Sequence, residues 1–362
     1  MSESGKRAAA ATETVTGEAL RRFATDVFAR AGMPKPDAAI VAEVLVWANL
    51  RGVDTHGVMR IPRYVNLIET GDMNPRPAIA VRSETPASVL VDCDRAAGPV
   101  AMMRAKTEAA RKAREAGIGF ALVRATTHTA ALGYYTFAAA REGLAAIAVS
   151  ASWPNMAYHG ARAAGVSTSP ISIAVPDGKE DALLLDMGTG VVSMGRLTQA
   201  KKTGAAIPAG WALDKDGNPT TDAQAADIPL PMAGPKGSGL ALMIECITSL
   251  VASNPLISEF IEGTAEGRRH RQNGLLIAID IARFGDPEAF RREVDRLVKA
   301  VQSLPVDPQV GEILMPGERG KRTSARRNRE GIPIPRAILE ELQVLAKRLG
   351  VPMFASSGSG IS

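Results

Sequence analysis

The chain has 362 residues, 46% of them apolar and 22% charged, with a formal net charge of +5. That length suffices for two domains, and the balance excludes a fibrous or wholly disordered protein. The small positive excess does not indicate nucleic acid, because no aromatic-interleaved basic module accompanies it. Cys93 and Cys246 stand far apart with no CxxC pair, which points to a reducing cytoplasm. The start, MSESGKRAAAATET, lacks the apolar core of a secretory signal, and no run approaches the roughly 18 apolar residues of a membrane span. No metal site is expected, since His56, His128, His159 and His270 are scattered and HExxH is absent.

In chain order, residues 1–14 are small and polar and read as a disordered tail. Thr16 caps a helix over 17–31, and Asp37 caps a second over 38–51 whose apolar residues recur at helical spacing. Pro62 suits the first turn of a short helix through Glu69, with Ile61 held out of the helical region by the proline. Residues 71–77 form a loop, 87–93 a buried strand, and 99–116 a helix ending at Gly117. Strands follow at 120–125 and 146–152 with a helix near 131–142 between them. Two more, at 171–176 and 182–187, are joined by Asp177, Gly178 and Lys179. Residues 205–235 read as an extended loop. A helix runs from Gly234 to about Ser253, 255–273 is mobile, 275–284 is a strand and 287–302 a helix. A basic stretch then precedes a last helix from Pro335. Alternating strands and helices give an α/β or α+β class.

Chemistry concentrates in RGVDTHGVMRIPRYV, which puts a hydroxyl, an imidazole and a guanidinium within six residues at Thr55, His56 and Arg60. A 2-oxo acid needs a proton donor for its carbonyl oxygen and a fixed cation for its carboxylate, and these side chains supply both. The plainer alternative is a surface turn with an incidental histidine. His128 follows a strand and precedes a helix, where free amides favour anions; it is otherwise a loop residue capping that helix. Asp186 ends a strand ahead of Gly188 and Gly190, either as a capped turn or where a ligand approaches backbone closely. Thr168 and Ser169 offer hydroxyls at another strand entrance. Lys236 in GPKGSG stands at a helix mouth as a phosphate grip, although neither a P-loop nor a complete GxGxxG is present. The run 316–331, with Arg319, Lys321, Arg322, Arg326, Arg327 and Arg329, is a solvated face or a cofactor-phosphate clamp.

Together, DTHGVMRIPRY, the His128 segment, STSPISIAVP, LLLDMGTG, IPAGWALDKDGNPTTD, GPKGSGLALM and the PGER…GIPIP ending resemble the second, non-Rossmann type of malate/L-lactate dehydrogenase family. That family also holds ureidoglycolate, sulfolactate and diketogulonate oxidoreductases and cyclic-imine (piperideine/pyrroline-2-carboxylate) reductases. The resemblance spans about residues 15–350. It implies an NAD(P)-dependent enzyme interconverting a 2-hydroxy and a 2-oxo acid, with His56 as proton donor/acceptor and Thr55 orienting it. Arg60, Thr168 and His159 would contact a small carboxylate substrate. His128, Thr129, Ala130, Ala131, Leu132, Asp186, Met187, Gly188, Lys236 and Gly237 would hold the cofactor, with Glu318, Arg319 and Arg322 adding to it and leaning toward NADP.

The resemblance further implies a homodimer and a discontinuous substrate domain, 15–90 plus 291–350. A non-Rossmann cofactor domain on a largely antiparallel sheet is expected over 91–290, and 351–362 as a flexible tail. Ser169 and the sequence DMGTG depart from the family's usual GTNP and DMATS, and Arg196 takes a position that is acidic in some imine reductases. The competing readings are reduction of a cyclic 2-imino acid and a non-catalytic binding or scaffold protein.

Overall fold

A computed structural model describes residues 12–178, 181–264 and 270–354. It divides into two units, one running to Gly71 and resuming at Arg319, the other spanning Asp72–Glu318. These crossings differ from the boundaries at 90/91 and 290/291 expected from sequence.

The first unit opens with strand β1 (Thr12–Val15), so the expected tail is a paired strand from Thr12 onward. Helix α1 (Gly17–Arg30) starts where Thr16 accepts a bond from the Ala19 amide at 3.2 Å, as the sequence indicates. Helix α2 (Lys35–Leu50) begins earlier than expected: Pro34 stands at its cap, Pro36 in its first turn, and Asp37 caps nothing. Ten of its residues are buried, including Asn49 at its end. Two 3-10 turns, Asp54–His56 and Val58–Arg60, lead directly into α3 (Ile61–Glu69). Ile61 therefore takes helical angles despite preceding a proline, because the 3-10 turn already delivers it in that conformation.

The second unit is built on a seven-stranded sheet. Its strands are β2 (Ala80–Glu84), β3 (Ser88–Asp92), β4 (Ile118–Thr126), β5 (Leu144–Ser152), β8 (Ile171–Pro176), β9 (Ala182–Met187) and β13 (Gln272–Asp280), in the order β2-β3-β4-β13-β5-β8-β9. Only β3 and β4 run parallel; every other neighbouring pair is antiparallel. Helices α4 (Gly98–Ala116) and α5 (Gly133–Arg141) pack on this sheet, Gly119 of β4 lying against Ala109 of α4. Side chains of opposite parity, Leu122, Val149, Ala151 and Leu275, form a core with Ile244 and Leu256.

Between β5 and β8 lies the ribbon β6 (Met156–Ala157) and β7 (Ala164–Val166). After β9 come α6 (Met194–Thr203) and a small sheet of β10 (Ala212–Leu213), β11 (Pro219–Thr220) and β12 (Ile228–Pro229), where an unbroken loop was expected. Their apolar side chains close two small cores of their own, one containing Leu197, Ile207 and Ala212 and the other Ala157, Leu213 and Ile228. Helix α7 (Pro235–Glu245) continues through a π-turn at Cys246–Leu250. Helix α8 (Ile257–Glu262) occupies part of the segment read as mobile, where Glu245 accepts from the amides of Leu256 and Ile257 at 2.7 and 3.1 Å. Helix α9 (Pro287–Gln302) is capped by Asp286, which accepts from two first-turn amides. Lys179 of the expected β8–β9 turn lies outside the described residues.

The chain returns to the first unit with α10 (Glu318–Glu330), β14 (Ile332–Pro335), which pairs antiparallel with β1, and α11 (Arg336–Leu349). Phe354, in the expected flexible tail, sets its ring edge-on to Phe23 with centroids 5.0 Å apart; residues 355–362 lie outside the described residues. No helix among the described residues is long and apolar enough to cross a membrane.

Candidate active site

The 3-10 turn after α2 carries Thr55 and His56, and the next one ends on Arg60. The Thr55 hydroxyl lies 3.0 Å from His56 Nδ1. A hydroxyl donates or accepts with equal ease, so this contact survives either tautomer of the ring. Arg60 Nε donates to the Thr55 carbonyl oxygen at 2.7 Å, which folds the guanidinium back over the turn. Both side chains are half-buried. The His56 pKa is pulled from 6.5 to about 4, mainly by burial, with the nearby Arg60 charge adding to it. The ring is therefore neutral near pH 7. Burial also lowers the Arg60 guanidinium from its ordinary value. Among the described residues no carboxylate forms an ion pair with Arg60. A half-buried cation without a counter-ion is costly unless a ligand supplies the anion.

The turn is clamped on both sides of His56. The Asn49 side-chain amide donates to Asp54 Oδ1 at 2.6 Å, and its Oδ1 accepts from the Val58 amide at 2.8 Å. Arg327, from α10, reaches both carboxylate oxygens of Asp54 at 2.7 and 3.0 Å and also donates to the Asn49 carbonyl. Gly57 fits this clamp for want of a side chain, since a Cβ there would stand 2.1 Å from Asn49 Oδ1. The sequence reading missed Asn49, Asp54 and Arg327 as a group. Arg327 was assigned to a solvated face or phosphate clamp, and its burial against Asp54 corrects both assignments for that residue. Arg319, Lys321, Arg322, Arg326 and Arg329 are exposed.

In the second unit the expected cofactor residues gather where β4, β9 and α7 end or begin. Asp186, at the end of β9, accepts from the Gly133 amide at 2.9 Å and so ties β9 to the start of α5. The preceding stretch, 128–132, is held from below: the Thr129 amide donates to Gln272 Oε1 at 3.2 Å, and the Thr129 carbonyl accepts from the Tyr135 hydroxyl at 2.6 Å. Ala130 adopts φ of +56°, a strained value for a residue with a Cβ. The buried amides of Ala130, Ala131 and Leu132 donate to no acceptor among the described residues. Buried amides at a helix start almost always find partners, so this run is suited to an anionic or carbonyl-bearing ligand. It lies in the His128 segment, for which the sequence suggested an anion site.

The start of α7 is built differently. The amides of Lys236, Gly237 and Ser238 donate to Ala233, Met232 and Gly234, so no free amides stand beside the exposed Lys236 side chain. Gly237 is where it is for packing: a Cβ would meet the Met232 and Thr189 carbonyl oxygens at 2.5 and 2.6 Å. Ser169 is also taken, its buried hydroxyl bonded to Ser167 at 2.5 Å. Thr168 remains half-buried with its amide on Asn155 Oδ1 and its carbonyl accepting from the Thr189 amide. Met187 and Gly188 follow Asp186 directly, Gly188 lying exposed near the Thr168 carbonyl. His159 is exposed and packs beside Gly234. Arg196 lies over the Trp211 ring at 5.9 Å. Glu318 accepts from the Met315 amide and the Gln302 side chain, which accounts for its carboxylate by local structure.

Comparison with known proteins identifies the family. A family model described as malate/L-lactate dehydrogenase matches residues 15–343. Malate dehydrogenase of Pyrococcus horikoshii is 36% identical over 93% of this chain and 96% of its own length. L-sulfolactate dehydrogenase of Methanocaldococcus jannaschii is 34% identical over 91% and 96%. Delta(1)-pyrroline-2-carboxylate/Delta(1)-piperideine-2-carboxylate reductase of Pseudomonas putida is 30% identical over 91% and 95%. The solved malate dehydrogenase of Pyrococcus horikoshii OT3 superposes with a TM-score of 0.86 at 34% identity, over 95% of this chain and 97% of that one. With a family match over nearly its whole length and a fold shared with a solved member, the chain belongs to the malate/L-lactate dehydrogenase family and is an oxidoreductase.

Proposed function

We propose that the chain interconverts a small 2-hydroxy acid and its 2-oxo acid, with His56 moving the proton and Arg60 holding the substrate carboxylate. The observation that carries this reading is Arg60: a half-buried guanidinium with no carboxylate ion pair among the described residues, four positions from a neutral imidazole. A substrate carboxylate on Arg60 gains a charge-assisted, two-point contact that fixes its orientation. It also cancels the positive charge that helps to hold His56 neutral, so the ring gains proton affinity when the acid binds. In the oxidation direction neutral His56 takes the hydroxyl proton; in reduction it returns one to the carbonyl oxygen. Thr55 keeps the ring oriented through both states.

The cofactor is NAD or NADP, which when bound supplies or takes up the hydride at the substrate's C2. The residues that would hold it are the unpaired amides of Ala130–Leu132 with His128 and Thr129, the Asp186–Gly188 turn, and Lys236 as a point charge. The exposed Arg319 and Arg322 favour the extra phosphate of NADP. The family resemblance supports a homodimer, and the two unbridged cysteines suit a reducing cytoplasm.

A second reading, reduction of a cyclic 2-imino acid, is favoured by the similarity to the Pseudomonas putida reductase. It uses the same Arg60 contact, with the proton going to nitrogen. The test is fluorescence titration with NADH and NADPH, then turnover of pyruvate, oxaloacetate, sulfopyruvate and piperideine-2-carboxylate. Cofactor binding with turnover of none of the four would defeat both readings.

A further inference from the structure

The clamp around the 54–58 turn contains a charge that stability does not explain. Arg327 is 9% exposed, and its Nε, also buried, has no partner. Burying a guanidinium against a carboxylate that is itself 47% exposed offsets only part of the guanidinium's desolvation cost, and an unpaired buried N–H adds to that cost. What the arrangement does supply is position. Two carboxylate oxygens and one backbone carbonyl, all from residues 49–54, converge on a single rigid fork. Asp54 then takes the Asn49 amide, and the other end of Asn49 takes the Val58 amide. Residues immediately before Thr55 and after Gly57 are thus fixed to the same point on α10. Among the described residues, the Arg327 side chain bonds to nothing else.

We propose that Arg327 is a positioning residue which, through Asp54 and Asn49, sets the orientation of the turn carrying Thr55 and His56 and so governs the proton-transfer step without touching substrate or cofactor. The inference rests on the role given to His56 above. It predicts an effect confined to turnover. A proton donor misplaced by about 1 Å loses roughly 100-fold in rate, whereas the cofactor-binding residues proposed in 128–188 and at 236–237 are untouched, and Arg319 and Arg322, earlier on α10, are exposed and take no part in the Arg327 contacts.

The test uses the full chain with R327M, which keeps an apolar stem as far as the Nε position, and R327K, which keeps the charge but replaces the planar fork with a single ammonium group. Both are assayed with NADH or NADPH and whichever of the four acids the unmodified protein reduces. R327M lowers kcat by roughly 10- to 100-fold while KM for the acid and the cofactor Kd stay within about threefold, and R327K recovers a substantial part of the loss. A folded R327M with kcat within about twofold of the parent overturns the proposal. So does a fall in kcat matched by an equal weakening of cofactor binding with no recovery in R327K, which marks a purely structural residue. If R327M does not fold, D54N decides, since it keeps the volume and loses the charge pair: an unchanged kcat overturns the inference, a selective fall supports it. An unmodified protein that reduces none of the acids removes the functional reading and this inference with it. An active parent with an indifferent R327M removes this inference alone.

Discussion

Gly57→Ala tests the clamp at its tightest point. A Cβ at position 57 would stand 2.1 Å from Asn49 Oδ1, 2.4 Å from its Cγ and 2.6 Å from its Nδ2. Ordinary van der Waals contact begins near 3.4 Å, so the amide group must move by about 1 Å or more. Asn49 cannot move that far and keep its bonds to Asp54 at 2.6 Å and to the Val58 amide at 2.8 Å. Losing one bond to a charged acceptor and one to a backbone donor, in a side chain only 3% exposed, costs about 3–4 kcal/mol. Backbone strain adds a little to this, because φ of −93° at Gly57 suits alanine but ψ of −153° lies just beyond the β region. The assay is urea unfolding followed at Trp47, which lies in α2, with Trp153 and Trp211 replaced by Phe. Asn49→Ala should remove most of the penalty when combined with Gly57→Ala, giving a coupling energy of about 2–3 kcal/mol. A Gly57→Ala variant within ~0.5 kcal/mol of the parent, or strict additivity in the double mutant, refutes the steric argument.

His56→Ala should lower kcat at least about 100-fold with cofactor affinity unchanged; near-full turnover refutes the proton-transfer role. Arg60→Ala should chiefly raise KM for the acid, by about 1–3 kcal/mol, and an unchanged KM removes Arg60 from the substrate site. The folded pKa of His56, about 4, lies below its ordinary 6.5, so the unfolded chain takes up the proton more readily between these values. The stability tied to the neutral ring is full above pH 6.5 and falls as pH drops toward 4. Relative to His56→Gln, the parent should lose about 2–3 kcal/mol between pH 7 and pH 4.5, and parallel unfolding curves would contradict the burial argument. Glu245→Ala strands the amides of Leu256 and Ile257 and the Ser249 hydroxyl, and should cost about 3 kcal/mol by chemical denaturation. Burial pushes the Cys93 thiol up to about 12, so iodoacetamide at pH 8 should label Cys93 only after unfolding.

What could be read from the sequence was what short-range patterning encodes. Thr16 and Gly117 mark the start of α1 and the end of α4 by side-chain and backbone preferences acting within a few residues. The central strands β4, β5 and β13 announce themselves as apolar runs because both faces of the sheet are covered. Strand β2 was missed for the opposite reason: AVRSE is exposed throughout, lies at the sheet edge and carries no apolar alternation. Helix α10 has eight charged residues among its thirteen and no large apolar one, and its one buried residue is an arginine, so it presents no apolar face to find. In the candidate site, Thr55, His56 and Arg60 stood out because a hydroxyl, an imidazole and a guanidinium fall within six positions of sequence. Asp54 was not, because its partner lies 273 residues further along the chain. The unpaired amides of Ala130–Leu132 are backbone groups and leave only a faint trace in side-chain identity.

The joining of residue 54 to residue 327 bears on how the protein is made. Thr55, His56 and Arg60, the residues proposed to carry the chemistry, are translated within the first sixth of the chain, yet the fork that steadies their turn emerges from the ribosome only near the end. Until then Asp54 lacks its Arg327 partner, and the turn carrying His56 is unbraced in the nascent polypeptide. Premature termination between α3 and α10 should therefore leave a product with Thr55, His56 and Arg60 present and their geometry unset.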